Sequence, residues 1–352
     1  MSIRIAIDAM GGDFAPSALV DGTVAVAKTH KELELILVGI PERIPRANDL
    51  PDNVRLVECG SVMGMDEPIQ NLRRKQDSSI WVATKLVKDG KADAVISCGS
   101  TGAQMSSALL LLKRIPHIQR PAISLTFPNT RGGSILLDAG ANIEVTPAQY
   151  QQFGIMGSVA AEILLGRKNP KVALLSNGTE EHKGTEELRK AYALLKMSDI
   201  NFTGYMEART LMNGDVDVIV TDGFTGNVVI KEAEGLSKTL MSILKQELQT
   251  SVTSKLGAAL AKKAFSNLKG VLDYKRVGGA PLLGVQGVSL VCHGSSDARA
   301  VRSAILAAKN CVESQFIEKM SEKIQVEMEK VKSAKIISVE TERAKKSQLA
   351  AQ

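Results

Sequence analysis

Nine short apolar runs recur along this chain, and the spacing after most of them leaves room for a helix; no other feature constrains the fold as much. The runs are IRIAID (3–8), LELILVG (33–39), VRLVE (54–58), ADAVIS (92–97), AISLTF (122–127), SILLD (134–138), KVALLS (171–176), DVDVIV (215–220) and GVSLVC (287–292). Such runs read as strands buried on both faces, and intervening helices cover a parallel sheet. Helices are expected near 16–30, 70–89, 102–114, 147–166, 184–197, 226–249 and 296–330. The expectation is a three-layer α/β/α protein with a mostly parallel sheet. One domain would span 1–330, and a charged, flexible tail would occupy 331–352.

Six of the runs end in small polar or glycine-rich loops: DAMGGD, CGSTGA, DAGAN, SNGTEEHKG, TDGFTGN and CHGSSDA. In an open α/β sheet the ligand crevice lies at the carboxyl ends of strands, so six such loops on one edge predict a site there. None is a Walker A loop, DAMGGD lacks the dinucleotide spacing, and CHGSSDA is not a nucleophile elbow, which makes Ser295 a poor acyl-enzyme serine. What remains is a set of backbone N–H groups at helix starts, with hydroxyls and a few cations. That chemistry suits an anion, with phosphate or a phosphorylated group as the natural guest. One cation, Lys183, sits among four glutamates in GTEEHKGTEE (178–187); spacing alone gives it no role beyond a solvated loop.

Aromatic residues make up 3% of the chain, so the core must be built from Ala, Val, Ile and Leu. The four cysteines and four histidines show no paired spacing, which argues against a zinc site and for a reduced, cytoplasmic protein. The opening MSIRIAIDAM has no long apolar core, so no signal peptide is expected, and no run is long enough to span a membrane. The net charge of +6 favours an acidic partner or an anionic surface, and the sparse aromatics make nucleic acid the weakest candidate. On a helical wheel KLGAALAKKAFSNLKG (255–270) places Leu256, Leu260, Ala261, Ala264, Phe265 and Leu268 on one arc, with Lys255, Lys262, Lys263, Ser266 and Lys269 opposite. Such a helix packs on the core, packs on a second subunit, or lies on an anionic membrane. An amphipathic helix pair projecting from about 226–270 would suit the last two.

IAIDAMGGDFAP (5–16) resembles the opening signature of the bacterial acyl-acyl-carrier-protein:phosphate acyltransferases, the PlsX family. GSTGA (99–103), LDAGAN (137–142), EEHKGTEE (180–187), DGFTGNVVIK (222–231), GGAPLLGVQG (278–287) and HGSSDA (293–298) resemble that family's further motifs in the same order, from about residue 3 to about 320. Ser100 stands where the pattern expects Asn, and His182 where it expects a small residue. The resemblance implies an isocitrate-dehydrogenase-like, phosphotransacylase-like fold. It implies transfer of a long fatty acyl group from acyl-acyl-carrier protein to inorganic phosphate, with no cofactor and no metal. The acyl phosphate would feed a downstream acyl-phosphate:glycerol-3-phosphate acyltransferase in phospholipid synthesis. Lys183 would be the cation for phosphate or the developing charge, and Asn227 the amide donor to the carbonyl, unless it merely caps a helix. Phosphate and substrate would meet Gly11, Gly12, Ser100, Thr101, Gly102, Asn142, Gly184, His293, Gly294 and Ser295. For His293 a hydrogen-bonded strand-end role serves equally well; Ser295 and Ser296 could cap the last helix, and Asp8 and Asp138 read as scaffold. Lys255, Leu256, Leu260, Lys262, Lys263 and Phe265 would meet membrane or carrier protein, in a peripherally membrane-associated homodimer. The same-class rival is a phosphotransacylase using short-chain acyl-CoA. A dehydrogenase of related fold lacks its aspartate cluster here, and a membrane scaffold leaves the loops unexplained.

Overall fold

The computed structural model describes residues 2–272 and 278–331. Apart from Val331, the tail expected from 331 onward lies outside the described residues. The strands are β1 (Ile3–Asp8), β2 (Leu33–Gly39), β3 (Val54–Glu58), β4 (Ala94–Ser97), β5 (Ala122–Phe127), β6 (Ser134–Leu137), β7 (Val172–Ser176), β8 (Phe202–Glu207), β9 (Val218–Val220), β10 (Ala280–Leu283) and β11 (Val288–Val291). The helices are α1 (Ser17–Thr29), α2 (Ser79–Lys88), α3 (Thr101–Leu111), α4 (Pro147–Leu165), α5 (Glu186–Lys196), α6 (Gly223–Glu247), α7 (Val252–Leu260), α8 (Lys262–Leu272) and α9 (Ala298–Glu313), with further helix over 316–331.

The nine apolar runs all become strands, because consecutive residues in them are buried. Ile5, Ala6 and Ile7, and Leu35 through Val38, are fully enclosed. Side chains alternate faces along a strand, so such burial requires cover on both sides of the sheet. α1 pairs with α9 and α2 with α3 on the first strands, and α4 pairs with α5 on the later ones. α4 is apolar nearly all round and lies deep in the molecule. Gly154 and Gly157 permit its close approach, since a Cβ there would come within 2.5 Å of Leu195 and 2.4 Å of Val218.

Two strands fall outside the nine runs. β10 contains Pro281, which argues against a central strand in sequence reading, yet it pairs with β11 and β5. β8 is interrupted by Gly204 at φ +98, next to a register shift against β7. The helix expected over 296–330 breaks at Gln315, which adopts φ +53. The one expected over 70–89 is a short 3-10 turn (Ile69–Arg73) followed by α2.

The strand order is β3-β2-β1-β4-β11-β10-β5-β6-β9-β7-β8. The first five are mutually parallel, and so are the last four. β10 and β5 lie between them, each antiparallel to both neighbours, so the two parallel blocks point in opposite directions. This corrects the expectation of six loops on one edge. Ser97 pairs with Val291 and Val291 with Ala280; Leu282 pairs with Ile123, Ser124 with Leu137, and Leu137 with Val220. The carboxyl ends of β4 and β11 therefore reach about the same height as those of β6 and β9, from opposite sides. The glycine-rich loops of the two blocks converge over β10 and β5.

α6 is seated at this meeting point. Asp222 caps it, accepting from Thr225 N at 2.7 Å and from Thr225 Oγ1 at 2.8 Å, and Gly223 N donates to Asn142 O at 2.7 Å. At Gly226 a Cβ would lie 2.0 Å from the carbonyl oxygen of Asp138. That oxygen belongs to packed backbone, so Gly226→Ala should cost about 1–3 kcal/mol of stability by overpacking. Denaturant unfolding would measure it, and an unchanged midpoint would show that α6 can shift freely.

Candidate active site

Two buried carboxylates hold the converging loops. Asp8, at the end of β1, accepts from Ser97 Oγ at 2.7 Å and from Met10 N at 3.2 Å, and Ser97 Oγ in turn accepts from Gly99 N at 3.0 Å. Asp138, just past β6 and fully buried, accepts from the amides of Ile123, Gly140, Ala141 and Asn142 at 2.7–3.2 Å and from Asn142 Nδ2 at 2.8 Å. Burial holds both carboxyls above the usual carboxylate range, and the ring of donors opposes that rise without cancelling it. Because the five partners of Asp138 are all donors, the loop is built around the ionised form.

Glycines let three loops of the first block nest. A Cβ on Gly11 would come within 2.7 Å of Gly99 N, and Gly12, at φ +103, sits against Cys98 and Gly294 O. Asp13 N donates to Gly294 O at 2.8 Å. Across from them stand Ala139 and Gly140, with Asn227 beside them on the first turns of α6. Between the two sets lies a cavity of about 500 Å³. Its polar side includes Asp13, Gly99, Thr101, Asn227, His293, Gly294 and Ser296, and its apolar wall includes Met65, Ile123, Leu125, Ile230 and Val291.

The structure brings together Thr101, Asn227, His293 and Gly294 from the residues singled out in the sequence. Thr101 opens α3, whose N-cap Ser100 accepts from Ala103 N at 3.4 Å, so serine fills the capping place at this position. Gly102 packs against Ile69. His293 Nδ1 accepts from Ser295 N at 3.1 Å and meets Ser295 Oγ at 2.9 Å. An acceptor Nδ1 leaves the proton of neutral His293 on Nε2. Ser295 is thereby tied to His293, and neither serine caps the last helix as expected. Asp297 does so, accepting from Ala300 N at 2.9 Å. Asn142 does not line the cavity; its amide donates to Pro121 O and to Asp138, both at 2.8 Å. Asn227 lines the cavity, and its side-chain amide makes no hydrogen bond among the described residues.

Lys183 also stands apart from the cavity lining. β7 runs to Ser176, two residues past the partner of Val220, before its loop begins. The loop is held by Gly184, at φ +81, whose N–H donates to Asn177 Oδ1 at 3.1 Å. Two of the surrounding acids are engaged elsewhere: Glu181 accepts from Tyr192 at 2.8 Å and Lys196 at 3.0 Å, and Glu186 pairs with Lys190 at 2.6 Å. The half-buried Lys183 keeps its ammonium out of any hydrogen bond or ion pair among the described residues. The lysine that does line the cavity is Lys231, on α6 with Asn227, Ile230 and Glu234. Sequence reading gave Ile230, Lys231 and Glu234 no role, although they share one helical face with Asn227.

The wheel drawn over 255–270 is corrected by a break at Ala261 that separates α7 from α8. Lys255 and Phe265 face a cavity of about 620 Å³ that they share with Met241, Leu244 and Leu248 of the α6 region. Leu256 and Leu260 are 65% and 85% exposed, and Lys262 and Lys263 are exposed beside them. No helix among the described residues is long and apolar enough to cross a membrane.

The architecture is that of the phosphotransacylase-like α/β proteins. A phosphotransacetylase from Streptococcus pyogenes superposes with a TM-score of 0.58 at 18% identity, covering 89% of this chain and 94% of that one. A branched-chain phosphotransacylase from Enterococcus faecalis gives 0.54 at 15% identity, covering 88% and 99%. Closer kinship comes from sequence, where the family model described as "Fatty acid synthesis protein" matches residues 3–319. A protein from Desulfitobacterium hafniense named phosphate acyltransferase is 47% identical over 92% of this chain and 98% of its own length. Another of the same name, from Pelotomaculum thermopropionicum, is 48% identical over 92% and 95%. The chain belongs to this fatty acid synthesis family, the PlsX family.

Asp138→Asn puts an N–H₂ donor among the N–H donors that the carboxylate satisfies. It should cost on the order of 3 kcal/mol of stability. Denaturant unfolding would read the loss, and wild-type stability would remove Asp138 as the anchor of this loop.

Proposed function

We propose that this protein transfers a long fatty acyl group from acyl-acyl-carrier protein to inorganic phosphate. The observation that carries the reading is the cavity at the strand ends, where N–H-presenting loops and the uncommitted amide of Asn227 face an apolar wall. The polar side suits an anionic nucleophile, and the apolar wall suits the chain attached to the carbonyl. Membership in a family whose relatives are named phosphate acyltransferase supports the same chemistry.

A phosphate oxygen attacks the thioester carbonyl, the C–O bond forms, and the negative charge develops on the carbonyl oxygen. Asn227 donates to that oxygen, with the helix-start amides near Thr101 and the His293–Gly294 turn holding the phosphate. The tetrahedral intermediate collapses with cleavage of the C–S bond, and the sulfur leaves as thiolate, as a thiol of pKa about 8.5 can without prior protonation. Positioning and charge stabilisation are the tasks the protein must perform. Lys183 is the cation of this scheme, carried on the loop after β7, the neighbour of β9.

Phosphate and hexadecanoyl-carrier protein should give an acyl phosphate that hydroxylamine traps, with far less from acetyl-CoA. Product from acetyl-CoA alone would move the protein to the short-chain phosphotransacylases. Asn227→Ala should lower kcat by about 10²-fold, the usual loss of one oxyanion donor. Lys183→Ala should abolish turnover with the melting point unchanged; an unaffected rate in either variant would remove that residue from the scheme.

The exposed Leu256 and Leu260 beside Lys262 and Lys263 support peripheral attachment to an anionic membrane, and the apolar groove of α6–α8 supports a homodimer. Leu256→Asp with Leu260→Asp should abolish co-sedimentation with phosphatidylglycerol vesicles and spare soluble turnover. Retained sedimentation would reject this attachment.

A further inference from the structure

Asp13 and Glu234 both line the cavity at the strand ends. A phosphate anion that enters meets their carboxylates, and like charges repel more strongly beside apolar walls than in water. Backbone N–H groups at the helix starts offset part of that repulsion, but they carry only partial charges. An anion is held there only if a full positive charge faces the same cavity. Lys183 is not among the lining residues, whereas Lys231 is.

The helix geometry of α6 suits Lys231 to that task. It follows Asn227 by four residues, so the two lie one turn apart on one face, about 6 Å along the axis. Side chains on a helix lean toward its N-terminus, and a long one covers the turn before its own Cα. That lean directs Lys231 toward the turn that carries Asn227 and the loops beyond it. Glu234, three residues farther on, is half-buried and does not pair with Lys231. The Lys231 ammonium makes no hydrogen bond or ion pair among the described residues, so its three donors are uncommitted.

Resting on the acyl-transfer reading above, we propose that Lys231 is a second cation of the site, and that it holds the inorganic phosphate in the cavity beside Asn227. Two successive turns of α6 then address the two reactants. The Asn227 amide takes the carbonyl oxygen, and the Lys231 ammonium takes the phosphate next to it as a compact point charge. The ammonium meets the phosphate before and during attack alike, so its contribution falls on the phosphate KM rather than on kcat.

The test varies phosphate and hexadecanoyl-carrier protein in turn, for wild-type enzyme, Lys231→Ala, Lys231→Met and Lys231→Arg. Loss of one charged hydrogen bond should raise the phosphate KM about tenfold or more in the Ala and Met variants. Their thioester KM and kcat should stay within about twofold of wild type. Lys231→Arg keeps the charge and should recover most of the phosphate affinity. An unchanged phosphate KM, a rise confined to the thioester KM, or an Arg variant as impaired as the Met variant overturns the proposal. Position 231 is exposed on a helix and both replacements are good helix formers, so the variants should fold. Binding is read apart from turnover by melting. Inorganic phosphate, against chloride at equal ionic strength, should raise the wild-type melting point and leave that of Lys231→Met where it was. Equal shifts in the two proteins overturn the proposal. A wild-type enzyme that is stabilised by phosphate yet makes no acyl phosphate from any carrier thioester would instead overturn the acyl-transfer reading, so the two failures are distinct.

Discussion

Two carboxylates buried at strand ends organise everything that gathers at the cavity. An ionised group taken out of water costs several kcal/mol even after relaxation, so it persists only where donors surround it. Asp8 and Asp138 meet that demand with loop amides and hydroxyls, and in doing so they fix the loops themselves. Asp8 orders the loops after β1 and β4 through Ser97. Asp138 orders residues 139–142, and Asn142 O then receives Gly223 N at the start of α6. The position of Asn227 is thus set, two contacts removed, by a charge that never touches the cavity.

The loops can face one another only because the sheet reverses. A single parallel sheet would put all six at one edge in a row, with no opposing wall. β10 and β5 turn the second block around, and the register brings Leu137 and Val220 to the height of Ser97 and Val291. Apolar content and β-branching announced nine strands and the loops that follow them, so the fold class and most of the cavity's polar side were legible. The reversal was not, because β10 hides behind Pro281 and flanking glycines and strand direction leaves no mark on composition. Thr101, Asn227, His293 and Gly294 could be read from their motifs. Ile230, Lys231 and Glu234 could not, because their importance comes from which face of α6 meets the cavity.

The misread side chains share a physical cause. The family resemblance implies Asn142 and Ser295 among the residues that meet phosphate or substrate. Each is instead consumed locally, Asn142 by Asp138 and Pro121, Ser295 by His293. Short polar side chains bond their own backbone neighbourhood readily, and sequence cannot show whether they have done so. The wheel over 255–270 failed for a related reason. Its period assumed an unbroken helix, and the turn at Ala261 sends Phe265 toward the groove while Leu256 and Leu260 stay exposed.

α6 joins these features into one element. Its first turns are clamped by Asp222, Asn142 O and the backbone contact at Gly226, while Leu236, Leu240 and Ile243 farther along remain about half exposed. The helix runs without a break from Gly223 to Glu247, so one element carries both the clamped turns and the half-exposed stripe. Anything that covers the exposed stripe, a second subunit or a lipid surface, would therefore meet the same helix that carries Asn227, Ile230 and Lys231 at the cavity. The sequence places the apolar stripe and the cavity residues on one uninterrupted helix, and that continuity ties the surface to the chemistry.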